Sequence, residues 1–250
     1  MARVLLRGFA AALICLSTAA RAEQDGLSEP DIRQIVADYT PGAPNFADLL
    51  ADRFPEDLVT LMDAVASLDQ ASPSFGRQAM AELAKTLAAV QLRHGASLYS
   101  APDADLVAVL ETQRDLMAAL AAAQPDRCRP GAAGAMPTPE TRVLFLKRLQ
   151  QILIAISDGR DDPVPERIPR SSDFVELARA ASEQGVDTKD WAMLKPDQLA
   201  AIDPAAMCRA FLSVYKVALG ANGDAAERIR AFMAHDLLTP DLQFAFQPSQ

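Results

Sequence analysis

Apolar residues recur at helical spacing along almost the whole chain, and no stretch sustains the two-residue alternation of a strand. The strongest instance follows Thr138-Pro139, an N-cap residue with proline at the first helical position. From there Val143, Leu144, Phe145, Leu146, Leu149, Ile152, Leu153 and Ile156 cover a wide arc. Only Lys147, Arg148 and Gln151 remain as a narrow polar stripe. A helix this apolar packs from several sides, so the pattern predicts a central, buried helix.

The same reading applies elsewhere. Ser72-Pro73 opens a stripe through Met80, Leu83, Leu87, Val90, His94 and Leu98. Pro102-Asp103 opens another carrying Leu106, Val109, Leu110, Met117 and Leu120. Ser171-Ser172 starts a helix that Gly185 ends, and Asp203-Pro204 starts one that Gly220 ends. Asn222 begins a last helix to about Leu238, and shorter helices are predicted at 30–39, 45–54 and 56–70. A chain with 48 alanines favours helix further. The expected fold is all-α, a bundle-like globular domain of about eight to ten helices with one disulfide.

The first 22 residues read as a secretory signal. Arg3 and Arg7 form a basic n-region, Gly8 to Leu16 an apolar core, and Ala20-Arg21-Ala22 a small-residue cleavage site before Glu23. An uncleaved anchor is the alternative. Cys15 does not make a lipobox, because Ile14 precedes it. The expectation is a periplasmic or secreted helical domain over 23–250, with no membrane span after cleavage. Two halves, 23–128 and 138–240, are a further possibility. The Pro/Gly-rich stretch 125–137 would be the joint, and 159–170 is a second helix-breaking connection.

Cleavage changes the charge and the cysteine count. The whole chain holds 24 Lys+Arg and 33 Asp+Glu. The leader removes three arginines and no acid, which leaves 21 against 33, a net of −12. Such a chain repels nucleic-acid phosphates and anionic lipid surfaces, whereas a basic partner or a cationic ligand is permitted. Cys15 leaves with the leader, so Cys128 and Cys208 remain. An even pair in an oxidising compartment predicts a disulfide, closing a loop worth about 4 kcal/mol of chain entropy. A redox couple would show Cys-X-X-Cys, which is absent.

Catalytic motifs are scarce. The chain has no P-loop, dinucleotide-binding glycine motif, His-Glu-X-X-His, haem-attachment motif, calcium loop or Gly-X-Ser-X-Gly. Ser213-Val214-Tyr215-Lys216 fits Ser-X-X-Lys, with Ser157-Asp158-Gly159 and Lys85-Thr86 as partial companions. Their chain order is reversed and no sheet is predicted to present them. Arg209, Ser213 and Lys216 therefore read as a solvated helix stripe. Neither a cofactor nor a metal is expected.

The candidate binding residues are His94 and Trp191. His94 lies on an apolar stripe, either as a satisfied core imidazole or as a pocket base beside an acid such as Glu82 or Asp105. Trp191 lies in a short capped segment, as a core anchor or an interface residue. His235 sits where it meets a helix C-terminal dipole. The segments 120–129 and 199–209 share a Leu-Ala-Ala…Pro…Cys-Arg pattern, which chance or an old duplication explains. Three function classes remain. The leading one is an exported, non-catalytic binding or protein-interaction module, in a sharper form an acidic inhibitor or immunity-type protein. An envelope enzyme with an unfamiliar site and a structural envelope module are the others.

Overall fold

The computed structural model describes residues 28–128, 138–187, 189, 191, 202–238 and 242. Residues 1–22, read from the sequence as an expected leader, lie outside them. Among the described residues are nine α-helices and no strand. They are α1 (Glu29–Tyr39), α2 (Phe46–Arg53), α3 (Pro55–Ala66), α4 (Phe75–His94), α5 (Asp103–Ala123), α6 (Pro139–Asp161), α7 (Ser171–Glu183), α8 (Pro204–Gly220) and α9 (Asp224–Asp236). Two 3₁₀ segments, Gly95–Ser100 and Pro125–Cys128, follow α4 and α5.

Local chemistry sets the helix starts. Asn45 Oδ1 accepts the Ala47 amide at 3.0 Å, and Asp203 Oδ2 accepts Ala206 at 2.9 Å. Thr138 Oγ1 accepts Thr141 N, and proline occupies the first turn of α1, α3, α6 and α8.

Prolines and a glycine also set boundaries that apolar spacing leaves open. The α4 stripe runs to Leu98, yet the α-helix stops at His94 and tightens into 3₁₀ geometry. Ala101, just before Pro102, is extended at φ −72°, ψ 147°. α6 continues past residue 159 to Asp161, where Pro163 pushes Asp162 out of helical geometry. α9 starts at Asp224, because Gly223 caps it at φ +90° and leaves Asn222 outside.

The buried apolar residues form two clusters. The larger holds Phe46, Leu50, Phe54, Leu83, Leu87 and Leu149 among others, from α1–α4 and α6 with one side of α5 and Ala231 and Ala234 of α9. The smaller joins Leu110 and Met117 of α5 to Leu177, Tyr215, Val217 and Ile229 of α7–α9. Cys128 and Cys208 form a disulfide inside the smaller cluster, their Cα atoms 5.3 Å apart. The larger cluster takes residues from both sides of the 125–137 stretch. α6 packs with the N-terminal helices because it is apolar around so much of its surface, and α5 faces both clusters.

Arg148, on the narrow polar stripe of α6, is itself buried: it donates to Gln113 Oε1 at 2.8 Å and lies 4.4 Å above the Phe145 ring. Burial pushes its guanidinium down to about 10, still protonated at neutral pH. The connection after α6 is fastened to the 3₁₀ segment. Val164 N and Arg167 N donate to Ser100 O and Tyr99 O at 2.9 and 2.8 Å, and Arg167 Nη1 donates to Ala101 O at 2.7 Å. The Cys-Arg similarity does not extend to structure. Cys128 ends a 3₁₀ turn, whereas Cys208 lies inside α8; residues 199–201 fall outside the described residues.

Candidate functional site

α7 and α9 build the face with the most unusual surface. Asp173 in the first turn of α7 is buried, and Arg228 of α9 grips it with two hydrogen bonds of 2.8 Å. The Arg170 amide adds a third at 2.7 Å. The Arg228 guanidinium, helped by that amide, holds the Asp173 carboxyl down at about 2 against burial, which pushes the other way. The two helices are thereby fixed in register.

Beside this clamp, Phe174 and Phe232 meet edge to face with centroids 5.8 Å apart. They remain 46% and 36% exposed, with Val175 at 68% and Ile168 at 56%. Soluble surfaces rarely leave neighbouring large apolar side chains uncovered, and aromatic residues dominate binding hot spots. Farther along α7, a cleft of about 300 Å³ opens toward the α8–α9 connection, lined by Leu177, Ala180, Gln184, Asn222 and Ile229. Arg179 bridges Glu176 and Glu183 at its rim. Across α7 and α9, six carboxylates stand against three arginines, a net of −3.

His94 ends α4, half-buried, at a corner where four helices meet. Its ring stacks on Phe54, centroids 6.3 Å apart. The Arg160 guanidinium lies 5.0 Å above the same Phe54 ring. Burial first, then the charges of Arg160 and Arg93, hold the imidazole below its ordinary range; Asp57 and Asp161 act in the opposite direction. Of the acids suggested by sequence, Glu82 is paired with Lys85 on its own helix at 2.6 Å. Asp105 sits nearer Asp158 and Arg53, and burial with the Asp158 charge pushes its carboxyl up.

Trp191 packs at the edge of the smaller core, and its Nε1 donates to Ser213 Oγ at 2.7 Å. That hydroxyl in turn donates to Ala210 O at 2.7 Å. The Ser213 hydroxyl thus anchors a tryptophan, and Lys216 points to solvent. His235 stacks on Tyr99 at 4.8 Å, so the two histidines sit against different rings. Among the described residues, no group of three or more His, Cys, Asp or Glu is arranged to hold a metal ion. None of the described helices is long and apolar enough to cross a membrane.

Sequence reasoning passed over the Phe174–Phe232 pair. No sequence signal marked it, because apolar spacing gives the faces of α7 and α9 and not what covers them. No family model, curated protein or solved structure matches this chain.

Proposed function

We propose that the protein is an exported helical binding module, with a mature chain from Glu23, that docks a basic protein partner on its α7–α9 face. The observation that carries this reading is the uncovered Phe174–Phe232 edge-to-face pair, with Val175 next to Phe174 in α7 also exposed. Aromatic anchors of this kind fill pockets on a partner. Charge selects which partner: the net −12 of the chain after cleavage and the −3 on α7 and α9 favour a basic surface. The role is stoichiometric binding, such as restraint of a basic envelope enzyme.

Photo-crosslinking in the producing cell tests the proposal. A crosslinker at Val175 should give an adduct with a basic protein, weakened by high salt and lost in F174S/F232S. A crosslinker at Val59, exposed on α3, should not give that adduct. Equal labelling from both positions, or no adduct from 175, overturns it. N-terminal sequencing of the exported protein should read from Glu23.

A further inference from the structure

We infer that the corner between α2 and α3 is a pH-operated latch, closed by neutral His94 packed on Phe54 and loosened when that imidazole takes up a proton. Phe54 is the one residue between the two helices, closing α2 and capping α3, and it is buried. Its ring collects contacts from two other helices. His94 of α4 stacks on it, and Arg160 of α6 lies over it while donating from Nη2 to the Arg53 carbonyl at 3.0 Å. One aromatic ring therefore holds α2, α3, α4 and α6 together.

The charges facing His94 are already matched. On α3, Asp57 accepts from Arg93 of α4 at 3.1 and 3.3 Å. On α6, Asp161 accepts from Arg160 at 2.7 and 2.9 Å and from Ser157 Oγ at 3.1 Å. Nearby Asp158 is taken by Arg53. A proton on His94 adds a third cation beside Arg93 and Arg160, and both acids that face it already serve an arginine. Burial and the two flanking guanidiniums disfavour the imidazolium where it stands, so it turns to solvent off the Phe54 ring and the corner loosens.

The sign follows from linkage. A histidine whose folded-state pKa is depressed favours the neutral form in the fold. Its contribution is complete above the ordinary value near 6.5 and is lost as pH falls through the folded value. Two other groups near this corner of the fold serve as controls. His235 belongs to the Tyr99 stack, and the raised Asp105 carboxyl faces Asp158 and Arg53.

Hydrogen–deuterium exchange, corrected for intrinsic rates, is compared across the α2–α3 corner at about pH 7.5 and about pH 5. The wild type should show several-fold more exchange there in acid. H94Q should stay flat, and H235Q and D105N should behave as the wild type. A proton NMR titration of the wild type should place His94 below about 6.5, and R160Q should raise that value. An equal acid response in H94Q, or a His94 pKa at or above about 6.5, overturns the latch. The NMR arm stands even where H94Q does not fold.

Discussion

Arg230 of α9 forms a two-point ion pair with Asp103, the first residue of α5: Nε and Nη2 each lie 2.8 Å from a separate carboxylate oxygen. Its Nη1 donates to the carbonyls of Ala218 and Ala221, both at 3.0 Å. One buried guanidinium thus ties the start of α5, the end of α8 and the middle of α9. Removing it strands a carboxylate and two carbonyls. R230M should cost about 3 kcal/mol in urea unfolding. R230K should recover only part, because an ammonium cannot reproduce the planar fork.

Gly159 marks the closest approach of α6 to the 3₁₀ segment after α4. A Cβ placed there would overlap the Ser97 carbonyl oxygen and come within 2.9 Å of Ala101 N. These are backbone atoms and cannot rotate away. G159A should destabilise by about 2 kcal/mol or more, read as a lowered Tm. G220A is the contrast: its Cβ meets only the flexible end of Gln184, so the change should be small.

The Cys128–Cys208 bridge spans 80 residues and contains α6, α7 and the start of α8. Chain entropy gives such a loop about 4.5 kcal/mol. C128S/C208S, or reduction of the wild type, should lower Tm on the order of 10 °C. Trp191, the sole tryptophan, packs beside this region and should report the loss in its fluorescence.

Acid should reach the α7–α9 clamp late. The Asp173 carboxyl titrates at about 2 because Arg228 stabilises its charged form, so its depressed value makes it a stabilising group above the ordinary carboxylate range. That contribution is lost as pH falls from about 4 toward about 2. D173N should flatten stability across this window and weaken the protein at neutral pH, as measured by urea midpoints at several pH values.

Local signals made much of the fold legible. Thr138-Pro139, Asp203-Pro204 and Gly185 mark helix ends that the structure realises at α6, α8 and α7, with Gly185 at φ +66°. Pairing of Cys128 with Cys208 followed once Cys15 was assigned to the expected leader. What stayed hidden depends on neighbours far along the chain. Arg148 reads only as part of a narrow polar stripe until Gln113, 35 residues away, supplies its partner. His94 looks like an isolated imidazole until Phe54 and Arg160 arrive from other helices. The exposure of Phe174 and Phe232 is equally invisible, since periodicity shows which residues share a face and not whether anything covers it.

α5 presents Leu106 and Val109 to the larger cluster and Leu110 and Met117 to the smaller one. Neither cluster can melt without stripping one wall from the other. The chain should therefore lose its structure in a single cooperative step, with fluorescence from Trp191 and circular dichroism from all helices tracing one superimposable curve. Anything bound at α7–α9 would then be felt as added resistance to unfolding in α1–α4, although α1–α4 make no contact with the bound molecule.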